Sequence, residues 1–167
     1  LTNMSANILL LSKFENQKII TDQIEYELDE QIRNCIILLE NQWSTKNIEI
    51  NLNLETTKIY ADIEMLSHLW INLIENAIKN SKENGNITMN CHETLDDIVF
   101  KISNDGNGMD DNTLKHIFDK FYQGDRSHTS PGNGLGLSIV KRIVELNSGE
   151  IAVESKIGEG KIGRAHV

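Results

Sequence analysis

With 167 residues, 39% of them apolar and 25% charged, the chain is long enough for one hydrophobic core and has the make-up of a folded domain rather than a disordered segment. A formal net charge of -9 argues against broad phosphate contact with DNA or RNA, which draws on clustered lysine and arginine, so no nucleic-acid partner is expected. No apolar run approaches the ~20 residues that span a bilayer, and the start lacks the basic and apolar blocks of a signal peptide. Cys35 and Cys91 lack metal-ligand spacing and are read as reduced thiols, and none of the five histidines sits in a metal or nucleophile cluster.

Met4, Ile8, Leu11 and Phe14 fall three or four apart, with Leu9 and Leu10 widening the stripe, which predicts an amphipathic helix over residues 1 to about 16. It begins abruptly, as though cut from a longer one. Gln23 to Leu28 alternates as a strand, and Asp29 is placed to cap a helix whose apolar face is Ile32, Cys35, Ile36 and Leu39 and which ends near Trp43. Ile48, Ile50, Leu52 and Leu54 alternate strictly with polar residues, the period of a strand with one buried face, and Lys58 to Ala61 makes a short partner strand. Asp62 starts a long central helix through about Ser81, with Met65, Leu66, Leu69, Trp70, Leu73, Ile74, Ala77 and Ile78 as its apolar face.

Glu83-Asn84-Gly85-Asn86 reads as a turn, and Ile87 to Glu93 with Ile98 to Ser103 as a hairpin joined at Leu95-Asp96-Asp97. A glycine-bearing loop follows, then a short helix over about 111 to 118, a long polar segment, a helix from Leu135 to Leu146 and a strand from Glu150 to Ser155. Strands that come in hairpins among helices fit an α/β two-layer sandwich, a mixed, mainly antiparallel sheet covered on one face by helices, better than a parallel doubly wound sheet. Residues 162–167 continue no pattern, are similar to the translation of a sequencing-adapter read-through, and are set aside as a non-native tail.

Three stretches carry chemistry. His68, Asn72, Asn76 and Lys79 form one polar stripe on the central helix, opposite its apolar face. Two asparagines in register in a helix interior are poor helix formers; a solvated face is one explanation, and an amide oxygen offered to Mg2+ is the other. Asn104-Asp105-Gly106-Asn107-Gly108-Met109 lies between a strand and a helix, where Asp105 can accept from an exocyclic amine and the glycines admit a flat ligand, or simply make a turn. Pro131-Gly132-Asn133-Gly134-Leu135-Gly136-Leu137-Ser138 opens a helix, leaving backbone N–H groups for a phosphate or merely capping it. Between the last two, Phe118 and Phe121 anchor a polar stretch on which Lys120 and Arg126 can meet phosphate oxygens.

In order and spacing, the asparagine-bearing helix, the Asp-x-Gly-x-Gly loop, the Phe-x-x-Phe segment and the Gly-x-Gly-Leu helix start resemble the N, G1, F and G2 boxes of the catalytic domain of bacterial sensor histidine kinases, whose fold is the Bergerat ATP-binding fold. The resemblance runs from about residue 23 to 160. Leu9 to Asn16 looks like the end of the second helix of that family's dimerisation and phosphoacceptor domain, so residues 1–18 are assigned to it and 19–161 to the catalytic domain. The acceptor histidine beside an acidic residue is absent, so the chain is expected to lack its own substrate.

The resemblance implies ATP and Mg2+ as ligands, with Asn76 as the metal ligand, Asn72 beside it and Lys79 supporting the phosphates. Asp105 would hold the adenine amino group while Gly106 and Gly108 admit the base. Residues 122–133 would form a lid, flanked by Lys120 and Phe121 and containing Arg126, and the helix start at Gly134, Leu135, Gly136 and Leu137 would meet the phosphates. It further implies a parent homodimer anchored in the membrane, a cytoplasmic catalytic domain and a response-regulator partner. ATP-hydrolysing gyrase, chaperone and mismatch-repair families share the fold but carry a glutamate where Asn72 stands, and Asn72 cannot accept a proton at neutral pH. Glu75 keeps hydrolysis open, and an anti-sigma-type serine kinase or a nucleotide-binding module without catalysis are the other readings. Gln123 replaces the arginine common before the lid.

Overall fold

The structure is a computed structural model that describes residues 2–120, 136–156 and 160–166, with side chains over 5–120 and 136–153. Along the chain run α1 (Thr2–Asn16), β1 (Ile24–Glu27), α2 (Leu28–Leu38), α3 (Glu40–Thr45), β2 (Glu49–Leu54), β3 (Lys58–Ala61) and α4 (Ile63–Asn80). They are followed by β4 (Asn86–Glu93), β5 (Ile98–Asn104), α5 (Asp111–His116), α6 (Gly136–Leu146), β6 (Glu150–Lys156) and β7 (Gly160–His166).

The apolar periodicity of the central helix becomes the middle of the core. Asp62 caps α4, its carboxylate accepting from the Met65 N–H at 3.1 Å, which satisfies one of the donors that a helix start leaves open. All eight predicted apolar residues of α4 are buried. They meet the inward residues Ile87, Met89 and Cys91 of β4 and Phe100 and Ile102 of β5, with the Trp70 and Phe100 rings 4.8 Å apart.

One five-stranded sheet, in the order β2-β4-β5-β7-β6, carries this core on one face. β2 and β4 are parallel and the remaining pairs antiparallel, giving the mixed, mainly antiparallel sheet under helices that the hairpin pattern predicts. A parallel pair needs a crossover, and β3 with α4 supplies it.

Several expectations are corrected. Lys58–Ala61 does not pair with the strand before it; β3 pairs antiparallel with β1, register Ile24 to Ala61, in a separate two-stranded sheet, and β2 pairs with β4. β2 lies at the sheet edge, so its alternation does not give a wholly buried face and Leu52 is exposed. Asp29 is not an N-cap: β1 runs straight into α2, and Glu27 is the cap residue, without a side-chain cap bond. Buried Asp29 instead accepts from the Thr57 N–H at 3.2 Å and from Arg33 at 2.7 Å. Burial alone would raise the Asp29 pKa, but Arg33 and the Thr57 amide outweigh it and hold the carboxyl below its ordinary value. Residues 162–166, set aside as a tail, form part of β7 and pair with both β5 and β6, since strand pairing uses backbone groups and needs no side-chain alternation. The helix expected to end near Trp43 breaks at Leu39 into α2 and α3.

A buried amide joins the small sheet to α4. The Gln31 side-chain oxygen accepts from the Tyr26 hydroxyl at 2.8 Å and from the Trp70 indole at 3.0 Å, while its nitrogen donates to the Ile63 carbonyl and the Ser67 hydroxyl. Gln31→Met keeps the volume but strands two donors, and is expected to destabilise the fold by about 2–6 kcal/mol at 1–3 kcal/mol for each unsatisfied buried group, read from urea unfolding.

Candidate nucleotide-binding site

The polar stripe of α4 is half-buried along its whole length, which a purely solvated face would not be. Its members have different neighbours. His68 lies under α1, edge-on to the Phe14 ring at 6.2 Å, and burial holds its imidazole pKa below the ordinary value. Asn72 donates to the His68 carbonyl at 2.7 Å, and its oxygen faces the start of α6: a Cβ added at Gly136 would come within 3.0 Å of it. Asn76 lines a cleft beyond that contact, and its side-chain oxygen accepts from Asn80 at 3.3 Å. Burial pushes the Lys79 ammonium pKa down.

The cleft lies between α4, the start of α6 and the sheet. It is narrow and lined by Leu73, Asn76, Ala77, Ile102, Asn104, Leu137, Ile151 and Val153. Apolar walls with two amides at the rim suit a flat heteroaromatic group that is held at its edges.

At the end of α4 the backbone of the glycine loop comes very close. A Cβ on Gly106 would lie 1.7 Å from the Asn80 carbonyl oxygen, so no residue but glycine fits. Gly108 has φ 73, in the left-handed region that glycine enters without strain. Asp105, between strand and loop, accepts from the Asn86 N–H through one carboxylate oxygen at 3.0 Å. Its other oxygen, Oδ1, is buried and has no hydrogen-bond partner among the described residues. Leaving such an acceptor unmade costs about 1–3 kcal/mol and more for a charged group, so the site calls for a donor there. The residues present therefore fit a flat base bearing an amine.

Of the residues singled out in the sequence, Asn72, Asn76, Gly136 and Leu137 are brought together where α4 meets α6, and Asp105 and Gly106 gather at the end of α4. Lys120 faces elsewhere, forming an ion pair with Glu15 of α1. Phe121, Arg126, Gly134 and Leu135, and the lid over 122–133, lie outside the described residues. Glu75, the remaining candidate base, sits on the flank toward α3, where the Gln42 amide donates to its carboxylate at 3.3 Å. Sequence reasoning missed Asn104 and Asn80, whose amide-to-carbonyl bond at 3.2 Å ties the glycine loop to α4. Asn104 had a signal in its place beside Asp105. Ile102, Ile151 and Val153 had none, since a cleft wall and a core face show the same alternation.

A sequence model of the family described as histidine kinase-, DNA gyrase B-, and HSP90-like ATPase matches residues 61–167, and the chain belongs to that family. Within it, the chain is similar to sensor kinases. It is 32% identical over 160 residues to the heme sensor protein HssS of Staphylococcus saprophyticus subsp. saprophyticus, covering 96% of this chain and 34% of that protein. It is also 32% identical over 140 residues to sporulation kinase C of Bacillus subtilis, covering 82% of this chain and 32% of that protein. The chain thus spans about a third of the length of these relatives. Among solved structures, a nucleotide-free catalytic domain of the histidine kinase ThkA superposes with TM-score 0.77 at 27% identity, covering 88% of this chain and 95% of that one. The chain is accordingly a nucleotide-binding domain of the histidine-kinase kind, with the Bergerat fold.

Gly106→Ala forces a Cβ against a backbone oxygen that has no rotamer to escape through. It is expected to lose about 3 kcal/mol in urea unfolding, the upper end of the range for overpacking, and parental stability would contradict the geometry described.

Proposed function

We propose that this domain binds Mg-ATP and transfers the γ-phosphoryl group to a histidine on the phosphoacceptor helix of its parent protein, from which a response regulator takes it. The observation that supports this reading most is the buried Asp105 Oδ1, an acceptor with no partner among the described residues and suited to a donor such as the adenine amino group.

Asn76 offers an amide oxygen to Mg2+, a hard cation that prefers oxygen ligands, and Asn72 stands one turn before it. Lys79, on the same face, supports the phosphates, and partial burial strengthens its field there. Asp105 sets the register of the base, and the close backbone at Gly106 and Gly108 lets it slide in. Gly136 and Leu137 open α6, and the N–H groups of a helix start suit phosphate oxygens; Gly134 and Leu135 precede them in the sequence. Lys120, Phe121 and Arg126 border or belong to the lid. When bound, Mg-ATP supplies the phosphoryl group, and the protein contributes position and charge neutralisation.

Residues 1–18 form the end of the second dimerisation helix and 19–161 the catalytic domain; the parent is a homodimer anchored in the membrane, with this domain in the cytoplasm. Among the described residues no helix is long and apolar enough to cross a membrane. Hydrolysis is the weaker reading, because Asn72 stands where a general base is needed and Gln42 holds Glu75 to the side.

Titration calorimetry with Mg-ATP is expected to give binding to the wild type and a loss of at least 30-fold in affinity for both Asp105→Ala and Asn76→Ala. Heat unchanged in both folded variants would remove the site. Mixed with a separate acceptor-helix domain and γ-labelled ATP, the protein is expected to place acid-labile label on the acceptor; binding without transfer would leave a nucleotide-binding module only.

A further inference from the structure

A lysine far from the asparagines in sequence closes the end of the helix that carries them. The last four carbonyls of a helix have no partner within it. In α4 these are Ala77, Ile78, Lys79 and Asn80, and all are met. Ser81 turns back on Ala77 through its N–H and its hydroxyl, the latter at 2.7 Å. Asn104 donates to Asn80. The Lys46 ammonium, reaching over from the turn after α3, donates to Ile78 at 2.8 Å, to Lys79 at 3.2 Å and to Ser81, just beyond the helix, at 2.8 Å.

Three N–H donors meet three carbonyls, so the ammonium is saturated by backbone alone. It also sits at the negative end of the helix dipole. The surrounding turn is tied in as well. The Asn84 N–H donates to the Lys46 carbonyl at 2.9 Å, the Asn47 amide donates to Asn84 at 2.7 Å, and Glu49 bonds to the Gly85 carbonyl at 2.9 Å. Gly85 presses against Asp105, since a Cβ there would lie 2.5 Å from Asp105 Oδ1, and the next residue, Asn86, donates to the other Asp105 oxygen.

We infer that Lys46 is a positioning residue for the nucleotide site: by clamping the final carbonyls of α4 it sets the spacing between the Asn76 helix and the Asp105 loop without touching the ligand. This rests on the nucleotide reading given above. Without the ammonium, the carbonyls of Ile78, Lys79 and Ser81 turn toward water, and the turn they belong to is the one that abuts Gly106 through Asn80 and leads into the Gly85–Asn86 contacts with Asp105.

Nucleotide binding to Lys46→Met tests this, alongside Asp105→Ala and the double variant. Folded K46M is expected to bind Mg-ATP about tenfold more weakly than wild type and to lose most of its preference for ATP over GTP. In the Asp105→Ala background the same substitution is expected to add less than threefold, because the two act through one contact. A folded K46M with lowered thermal stability but wild-type affinity and preference, or full additivity with Asp105→Ala, would overturn the inference while leaving the nucleotide reading intact. Absence of binding in the folded wild type would overturn both. If K46M does not fold, Lys46→Arg decides: it keeps the charge, but its planar fork does not converge on three carbonyls, so a threefold or greater loss supports the clamp and wild-type affinity overturns it.

Discussion

The domain depends on α4 doing two things at once. Its apolar face is the centre of the core, against Met89, Phe100 and Ile102, while its opposite stripe of amides is only half-covered by α1 and α6. Burying one face fixes the rotation of the helix about its axis, and that rotation aims Asn72 and Asn76 along the α6 start and the cleft. Packing energy thereby orders polar side chains whose own contacts, an i to i-4 amide bond at 2.7 Å in the case of Asn72, are too weak to do so.

Fixing rotation is not enough, since a helix can still slide along its axis or fray. Its beginning is held by Asp62 and by the buried amide of Gln31, which bonds the Ile63 carbonyl and the Trp70 indole from another layer of the fold. Its end is held by Lys46, Ser81 and Asn104. The polar groups that do this are buried or half-buried and paired, whereas Asp105 Oδ1 is buried and has no partner among the described residues. The contrast matters because the same low dielectric that strengthens a completed bond makes an incomplete one expensive.

α1 is joined to the rest by more than apolar contact. Leu11 and Phe14 are buried, and Arg142 of α6 donates to the Phe14 and Gln17 carbonyls at 2.9 and 2.7 Å, capping the end of α1 from another helix. The Lys120 pair with Glu15 adds a contact between charged side chains that are both partly exposed, so it contributes little energy of its own. The end of the helix read as part of a dimerisation domain is therefore seated against the same α4 and α6 whose junction forms the site.

Sequence alone determined most of the elements and the candidate residues. Period-3.6 and period-2 patterning placed α4, the β4–β5 hairpin and α6 within a residue or two, and the asparagine, aspartate and glycine motifs named the residues that gather at the site. What it left open was partnership between segments distant in the chain. Alternation says that residues 58–61 form a strand but not that β1 is its neighbour, and β7 pairs on both edges with no alternation to announce it. Lys46 looks like any loop lysine until three carbonyls some thirty residues on converge on it. Local periodicity is written by which side of one segment is buried; the choice of partner belongs to backbone groups that every residue carries alike, and only the closed tertiary structure distributes those.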